Sequence, residues 1–483
     1  MTAATVPSGP AQDEAAPGRR LARGSLAAFG SLLAVSTAVS LSFWPGHMDP
    51  DTLDELNEGI HNTYTNWHAP ILSAMYRLIW LIGLRSPGWV LLAGVLTLAV
   101  GFYLILRLRL PRTWSVALAT LCLVFPPVLS WEIQVGRDAW FTAFLVCGFG
   151  LAARAWQTRG RSRWAWIAGA LIFAFLANVS RQNGVPAVLV LCCALAFLAL
   201  GSVRSWRRTL VIATGVVTTL ALLGMQTGIE AALQTQDLHP DQVVYIYDLA
   251  MMSRDEGKVL FPTALYPSQN LQPIVEHSTT ASIDGILFGP TSIILIPLPA
   301  KQYGELRSAW VEAITRDPEA YVRERAAEVL DLLNVTGTPV WITQYPEFDP
   351  GYSALLPPVN SAAMSYVLAF AQNGNNAFGG VIFTAWVYVL FLLAAAVWFL
   401  RRRTAADWIP GLFAVALLLY VAALGVLAPG VIYRYVYPAI AGTTVLAALL
   451  VGVALAPRFE HLRSSRTVVA GELAPTPPPA SED

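Results

Sequence analysis

Residues 87–112 read PGWVLLAGVLTLAVGFYLILRLRLPR, a run of mostly apolar residues that ends in Arg107, Arg109 and Arg112. A helix needs about 20 predominantly apolar residues to cross the hydrocarbon core of a bilayer, and positions 87–106 supply them. The arginines indicate that this end of the helix faces the cytoplasm, because cytoplasmic loops are enriched in Lys and Arg. The stretch therefore predicts a membrane-spanning helix and its direction.

The composition of the whole chain has the same character. Of its 483 residues, 55% are hydrophobic and 13% are charged, whereas a soluble domain carries about 25% charged residues. Lys and Arg number 31, as do Asp and Glu, so no basic surplus exists to attract nucleic acid. We expect an all-α polytopic membrane protein rather than a soluble enzyme, a disordered chain or a nucleic-acid binder.

Ten apolar segments are predicted to span the membrane. They cover residues 24–44, 87–106, 114–130, 138–156, 164–179, 185–201, 209–226, 377–400, 409–428 and 432–456. Segment 69–84 is apolar but short, and is interpreted as a helix at the interface or a re-entrant piece. The four cysteines lie inside apolar segments, which excludes a disulfide framework and a CxxC metal site.

The distribution of arginine predicts the orientation. Under a ten-span count, 19 of the arginines near the span ends fall on one side, among them Arg401, Arg402 and Arg403. That side is predicted to be cytoplasmic, with both termini on it. The first 18 residues lack the pattern of a cleaved signal peptide, so the first span is expected to remain. We expect a multi-pass plasma-membrane protein whose active site lies on the extracytoplasmic face.

This topology divides the chain into modules. Residues 1–18 and the Pro-rich 457–483 are predicted to be cytoplasmic tails, with disorder expected at 1–18 and 464–483. Residues 19–226 form a membrane module with seven spans and a first external loop at 45–86, and residues 377–456 form a second module with three spans. Between them, residues 227–376 are predicted to be a mainly helical extracytoplasmic domain. In it, Gln242–Glu256 has helical spacing, and Asp317 precedes Pro318 as an N-cap precedes a helix.

The first external loop concentrates carboxylates directly after a span. Asp49, Asp51, Asp54, Glu55 and Glu58 lie within ten residues. In one interpretation Asp51 or Asp49 caps a short helix that starts at Thr52, with Glu55 reaching back to the cap. In the other, one carboxylate faces a cavity at the membrane as a general base, since charges near a bilayer are costly and often functional.

The same loop continues to Trp67-His68-Ala69-Pro70. Trp67 is either an interfacial anchor or part of a substrate cavity, and His68 is either a helix cap or a cavity residue. His47, His61 and His68 share the loop with two aspartates, but their spacing matches no closed metal-ligand pattern. No metal ligand is therefore assigned, although a divalent cation such as Mg²⁺ or Mn²⁺ is a possible cofactor.

Three further polar clusters fall at the predicted external ends of spans. They contain Glu132, Arg137 and Asp138; Ser180, Arg181, Gln182 and Asn183; and Tyr433, Arg434 and Tyr435. Arginines at such ends either snorkel to lipid headgroups or bind an anionic phosphate through their planar forks. Both interpretations of Arg181 and Arg434 stay open at this point.

The pattern resembles bacterial members of the GT-C superfamily of glycosyltransferases, over roughly residues 24–456. The resemblance rests on Asp51 in the first external loop and on these motifs: Trp67-His68-x-Pro70, Arg137-Asp138, Arg181-x-Asn183-Gly184, Trp310-x3-Ile314-x3-Pro318-x2-Tyr321, and Tyr433-Arg434-Tyr435-x2-Pro438. One departure is Ala69, where the resemblance leads us to expect a proline or another apolar residue.

The resemblance implies a polyprenyl-phosphate-linked sugar as donor and a lipid, glycan or protein as acceptor, beside membrane lipids. It also implies that an aspartate of the first external loop is the acid–base group in an inverting transfer, which maps to Asp51 with Asp49 as the near alternative. The expected donor-phosphate residues are Arg181, Arg434 and Arg137. The expected cavity residues are Trp67, His68, Glu132, Asp138, Asn183 and Tyr433, of which Glu132 and Asp138 are secondary candidates for catalysis.

Two other classes of function fit ten spans. A transporter or lipid-linked glycan flippase predicts charged residues or Gly/Pro breaks near the membrane midplane. The span centres are nearly free of ionisable residues, and the polar clusters gather at one face, which favours surface chemistry. A scaffold whose external domain binds partners is the third possibility, and no feature of the sequence indicates a particular partner.

Overall fold

The computed structural model describes residues 17–200, 205–280, 282–288, 290–336, 365–366, 382–402 and 407–472, with backbone alone at 17–25, 205–207 and 456–472. These residues form eighteen α-helices. They are α1 Pro17–Ser42, α2 Pro50–His61, α3 Pro70–Leu81, α4 Gly88–Leu106, α5 Arg112–Val124, α6 Pro126–Glu132, α7 Arg137–Gln157, α8 Arg161–Ser180, α9 Val185–Leu200, α10 Ser205–Ala232, α11 Gln242–Glu256, α12 Leu271–His277, α13 Asp284–Leu287, α14 Ala300–Arg316, α15 Pro318–Leu332, α16 Ala385–Arg402, α17 Trp408–Leu427 and α18 Tyr433–Glu472.

The predicted fold class is confirmed: the described part of the chain is an α-helical, polytopic membrane protein. Eight of its helices are long and apolar enough to cross a bilayer, or nine if one bent pair counts as a single span. The prediction of ten spans therefore stays a prediction. The described apolar part of α1, Leu26–Ser42, is shorter than these eight, and α3 is a short apolar helix, in line with an interfacial position.

The predicted span at 114–130 contains a bend, and a single crossing by this segment stays a prediction. Helices α5 and α6 meet at Phe125 and are bent by 69°. Phe125 has an extended backbone and is followed by Pro126 and Pro127 at the start of α6. A proline lacks the N–H that would continue a helix and disfavours the helical conformation of the residue before it. The bend turns α6 across the end of the bundle and leads into Glu132.

The C-terminal tail also differs from its prediction. Helix α18 continues to Glu472, so residues 464–472 of the predicted disordered segment 464–483 are helical. No Gly or Pro stands between Arg458 and Ala470 to end the helix. The remainder of that tail, residues 1–16 of the other tail and residues 377–381 of the eighth predicted span lie outside the described residues.

Helix α7 lies at the centre of the membrane bundle, with most of its side chains buried. It packs closely on α4 through two glycines. A Cβ on Gly101 would stand 2.8 Å from the backbone nitrogen of Cys147, and a Cβ on Gly150 would stand 2.9 Å from the Cβ of Leu104. Small residues let membrane helices approach in this way. The close contact holds the start of α7, with Arg137 and Asp138, at a defined height in the bundle.

A second hydrophobic cluster forms in the insertion, the name used here for residues 227–376. It involves helices α11 to α15 and buries Tyr247, Met251 and Leu306, among others. Helix α11 has the bounds expected from its spacing, and the carboxylate of Asp317 accepts a hydrogen bond from Ala320 N as the N-cap of α15. Leu332, at the end of α15, belongs to the core of the membrane bundle. Helix α15 therefore bridges the two clusters.

Candidate functional site

The loop after α1 is tied to the turn between α6 and α7. The backbone N–H of His47 donates to Ile133 O at 2.9 Å, and Val135 N donates to His47 O at 2.9 Å. The hydroxyl of Tyr76 in α3 donates to Val135 O at 2.8 Å. These bonds place the start of α2 beside the start of α7, and therefore bring the acidic loop to Arg137.

Asp49 is the N-cap of α2. Its Oδ1 accepts hydrogen bonds from Thr52 N at 2.8 Å and from Thr52 Oγ1 at 2.6 Å, and Pro50 is the first helical residue. The helix therefore begins two residues before Thr52, where the sequence placed its start. The capping role falls to Asp49, which leaves Asp51 in the first turn without that function.

Arg434, in the first turn of α18, joins both aspartates. Its Nη1 donates to Asp49 Oδ2 and to Asp51 Oδ2, each at 2.9 Å. Asp51 Oδ2 also accepts from Arg137 Nη2 at 2.9 Å. Asp51 therefore lies between two guanidinium groups that come from α7 and α18.

Arg181 follows the end of α8 and reaches the same place. Its Nε forms an ion pair with Asp138 Oδ1 at 2.8 Å, and both side chains are buried. The ring centroid of Tyr435 lies 5.0 Å from the Cζ of Arg181 and 5.4 Å from the Cζ of Arg434, distances at which a cation is attracted to an aromatic face. The structure thus brings Arg181 and Arg434 to one tyrosine.

These contacts decide the charge state of Asp51. Burial on its own would raise the pKa of this carboxyl, but the positive charges of Arg434 and Arg137 outweigh it and hold the pKa well below its usual range. Asp51 is therefore ionised whenever both arginines face it. A carboxylate held this way is a weak base until one of the two cations turns to another anion.

Glu55 lies one turn after Asp51 in α2 and has the opposite character. Its side chain is 1% exposed, and neither carboxyl oxygen has a hydrogen-bond partner among the described residues. Burial raises the pKa of Glu55 to about 8, so the group is mostly protonated at neutral pH. The expected reach of Glu55 back to the cap is wrong, because the N3 position of a helix capped by Asp49 is Thr52.

A cavity of about 340 Å³ opens between α2 and the insertion. Trp67, half-buried, and His68, buried, lie in its wall; their role as substrate-cavity residues stays a prediction. The rest of the wall consists of Asp54, Asn57, Glu58, Thr65, Leu238, Phe288, Ile296 and Pro297. The cavity lies next to Arg137, which pairs with Asp51. The carbonyl of Trp67 accepts a long hydrogen bond of 3.5 Å from Arg137 Nη1.

His68 is held by α2. Its Nε2 lies 3.4 Å from Asp54 Oδ2. Burial lowers the pKa of His68, but its hydrogen bond with Asp54 and the nearby negative charge of Asp51 outweigh burial, so the pKa is raised. His68 is not the N-cap of α3, a position that Ala69 occupies. The capping interpretation of His68 is therefore wrong.

Three other predicted cavity residues lie elsewhere in the packing. Glu132 is buried and its Oε2 accepts a hydrogen bond from the hydroxyl of Tyr437 at 2.6 Å. The hydroxyl of Tyr433 donates to Pro127 O at 2.8 Å, which ties α18 to α6. Asn183 is half-buried in the 3-10 turn Gln182–Gly184 that directly follows Arg181. None of the three is in the wall of the 340 Å³ cavity.

Two residues of the site were not identified from the sequence. Tyr435 was quoted within a motif, but nothing in the sequence indicated that two arginines would share its ring. Glu55 was read only as a capping partner. The spacing in the sequence was the signal that could have identified Glu55. In a helix that is capped by Asp49 and starts at Pro50, positions 51 and 55 share one face, which places Glu55 beside Asp51.

The described residues do not form a site that is suited to a metal ion. No group of three or more His, Cys, Asp or Glu side chains in this part of the chain is arranged to hold one. The carboxylates of Asp49 and Asp51 instead face the cations of Arg434 and Arg137. The donor set as folded does not fit a divalent cation.

No protein-family model matches the sequence, and no curated protein matches it either. Among solved structures, the chain is similar to the archaeal oligosaccharyltransferase AglB from Archaeoglobus fulgidus in complex with an inhibitory peptide and a dolichol-phosphate, at 15% identity and a TM-score of 0.42 over 93% of this chain and 52% of that chain. It is also similar to the apo form of the oligosaccharyltransferase of that organism, at 16% identity and a TM-score of 0.43, over 93% of this chain and 52% of that chain. For the complex of that enzyme with Zn and sulfate the values are 15% and 0.43, over 92% and 51%. The chain spans about half the length of the solved structures that it matches.

Proposed function

We propose that the chain is an integral-membrane glycosyltransferase that moves a sugar from a polyprenyl-phosphate carrier to an extracytoplasmic acceptor. The proposal rests on one observation: Arg434 contacts Asp51 at the end of the bundle where α7 and α18 begin and α8 ends. Arg181 lies at the same end, and both arginines are close to the ring of Tyr435. Cations that bind a phosphate and a carboxylate that takes a proton are the two groups this transfer requires.

The donor phosphate is assigned to Arg434 and Arg181. Arg434 contacts both aspartates through Nη1, and its buried Nε–H has no hydrogen-bond partner among the described residues. A phosphate oxygen would satisfy that donor, and phosphate is one of the anions that the guanidinium fork binds through two hydrogen bonds. A lipid-borne phosphate lies at headgroup depth, which is where the ends of membrane helices present their side chains.

Asp51 is assigned the proton transfer. A phosphate that pairs with Arg434 takes one of the two cations away from Asp51 and so raises its basicity. The acceptor hydroxyl oxygen then attacks the anomeric carbon, its proton passes to Asp51, and the bond from that carbon to the phosphate oxygen breaks. Polyprenyl phosphate leaves with the electron pair, stabilised by Arg434 and Arg181. Attack opposite the departing phosphate inverts the anomeric configuration.

The acceptor is assigned to the cavity between α2 and the insertion. Trp67 and Phe288 offer apolar surface there, and Asp54 and Asn57 offer polar groups. The cavity wall holds no Lys or Arg, so it is better matched to an acceptor without negative charge at that point. Because the donor set does not fit a divalent cation, no step of the proposed reaction uses one.

Product analysis tests the proposal. The full chain is reconstituted in liposomes with synthetic decaprenyl-phosphate-linked pentoses and hexoses and a cell-envelope extract as acceptor, and free decaprenyl phosphate is measured by mass spectrometry. We expect release by the wild type and loss of release in Asp51→Asn. The alternative, a flippase, predicts that the intact donor changes leaflet with no release. Transport without release would overturn the assignment of an enzyme.

A further inference from the structure

A second group of buried charges lies in the insertion, away from the candidate site. Arg325 and Glu328 in α15 are 5% and 0% exposed, and Asp248 in α11 is 3% exposed. Arg325 pairs with Asp248 Oδ1 through Nη2 at 2.7 Å and with Glu328 Oε2 through Nη1 at 2.7 Å. The indole of Trp310 donates to Asp248 Oδ2 at 2.7 Å. Burying this many charges is costly unless each has partners.

The partners of this group extend beyond the insertion. Arg325 Nη1 donates to the backbone carbonyl of Ala428 at 2.5 Å, and Glu328 Oε1 accepts from Gly430 N at 3.1 Å. Ala428 and Gly430 belong to the linker between α17 and α18. Arg434 follows Gly430 by four residues, in the first turn of α18. Two buried side chains of the insertion therefore hold the backbone that leads to Arg434.

Packing supports the same connection. A Cβ on Gly425 in α17 would stand 3.1 Å from a methyl group of Val329 in α15. The N–H of Trp386 in α16 donates to Leu333 O at 2.9 Å, just after α15 ends. The last turns of α15 thus lie against the membrane helices at the place where α17 passes into α18.

We propose that Arg325 and Glu328 are positioning residues that hold the 428–432 linker so that Arg434 faces the donor phosphate. The inference rests on the proposed function, because it assumes that Arg434 binds that phosphate. Neither residue touches the donor. Their effect on donor affinity passes through the backbone bonds to Ala428 and Gly430, and it makes the insertion part of the donor site.

Binding of decaprenyl monophosphate by the full chain in nanodiscs tests the inference. Glu328→Met keeps the volume but removes both acceptor oxygens, and we expect the dissociation constant to rise about 10-fold, within the usual range of coupling between two sites. Glu328→Gln keeps an oxygen for Gly430 N and should stay within about threefold of the wild type. Arg316→Gln removes an exposed ion pair of the same insertion and should change nothing.

The melting temperature of each variant is measured beside the binding. Weaker binding by folded Glu328→Met, with recovery in Glu328→Gln, supports the inference; binding equal to the wild type overturns it. If Glu328→Met does not yield folded protein, Arg325→Lys decides by the same criterion, because Lys keeps the charge but loses the fork. Wild-type protein that does not bind decaprenyl monophosphate, or an Arg434→Ala variant that binds it normally, contradicts the proposed donor site instead.

Discussion

Arg434 and Asp51 stand 383 positions apart in the chain, yet Arg434 Nη1 donates to Asp51 Oδ2 at 2.9 Å. The contact joins the first turn of the last membrane helix to the first turn of the first helix after α1. This contact requires α2 and α18 to pack against each other. The candidate site is therefore a product of the complete fold rather than of any one segment.

Asp51→Asn distinguishes two roles of Asp51, that of a general base and that of a hydrogen-bond acceptor with a structural function. Asparagine keeps the shape and part of the hydrogen bonding with Arg434 and Arg137 but cannot take a proton. We expect the variant to insert and to bind decaprenyl monophosphate, while transfer falls by about 10²–10⁴-fold, the usual contribution of a general base. Sugar released from decaprenyl-phosphate-linked donor is the measurement.

Asp49→Asn is the matched control for that substitution. Asp49 is the N-cap of α2, and Asn is as good a cap as Asp. It loses only the charge toward Arg434, so we expect transfer to fall by less than about 10-fold, the scale of one weakened ion pair. Equal losses in both variants would mean that charge balance around Arg434, and not proton transfer, explains the role of Asp51.

The spans of the bundle were largely predictable. Apolar runs predicted α4, α7, α8 and α17 to within a few residues at each end, because a helix in lipid needs a continuous apolar stretch of fixed length. The bend at Phe125 was missed because hydropathy reads through Pro126 and Pro127 without a break. Pro126 and Pro127 do indicate the bend, because a proline lacks the N–H that would continue a helix and disfavours the helical conformation of the residue before it.

The site was predictable in its residue types but not in its pairs. The predicted topology placed the arginines and aspartates of the candidate site at one face of the membrane. Which carboxylate caps α2, and which pairs with Arg434, depends on a helix start that differs by two residues between the sequence interpretation and the structure. The contacts of Arg325 and Glu328 with the 428–432 linker could not be predicted for another reason. Their partners in the linker are backbone atoms, which no sequence pattern marks.

Replacing the donor-site arginines by lysine tests the assignment of the phosphate. Arg181→Lys and Arg434→Lys keep the charge but lose the planar fork, which matters only if both edges of the guanidinium are used. We expect each variant to bind decaprenyl monophosphate at least about 10-fold more weakly, as for a lost charge-assisted hydrogen bond of roughly 1.5–3 kcal/mol. Unchanged affinity in both would leave the arginines as headgroup anchors.

Glu55 makes the stability of the protein depend on pH. Burial raises its pKa from 4.5 in the unfolded chain to about 8 in the folded one, so the folded state holds a proton that the unfolded state releases. Its stabilising contribution is complete below about pH 4.5 and is lost as the pH rises through about 8. We expect the melting temperature in detergent to fall between those values, and Glu55→Gln to make that fall shallower.

Two features sharpen that measurement. Burial also raises the pKa of Glu328, although its ion pair with Arg325 opposes this shift, so part of the fall should persist in Glu55→Gln. Glu58→Gln is the contrast on the same helix, because the carboxylate of Glu58 accepts hydrogen bonds from Thr65 and from Ser73. It should lower the melting temperature at neutral pH. A Glu55→Gln profile identical to the wild type would contradict the burial of a protonated Glu55.

Topology is tested with accessible cysteines. Lys301 lies in the insertion and Arg159 in the turn between α7 and α8, and both are exposed. In sealed inside-out and right-side-out vesicles, we expect Lys301→Cys and Arg159→Cys to react with a membrane-impermeant maleimide from opposite sides. Among the described residues, Cys122, Cys147 and Cys192 are buried and Cys193 is half-buried, which gives a low background. Labelling of both from one side would contradict the predicted orientation.

Glu132 is the remaining carboxylate with a claim to catalysis, and its contact with Tyr437 predicts a structural role instead. Tyr437→Phe removes the hydroxyl that donates to Glu132 at 2.6 Å and leaves a buried carboxyl without that donor. We expect a loss of stability of about 1–3 kcal/mol, the cost of an unsatisfied buried polar group, seen as a lower melting temperature. Glu132→Gln keeps an acceptor for Tyr437 and carries no charge, so it should fold normally and retain transfer within about threefold, far from the loss expected of a general base. A folded Glu132→Gln protein that releases no sugar would instead move the proton transfer from Asp51 to Glu132, because each of the two substitutions removes a carboxyl group that could take the proton.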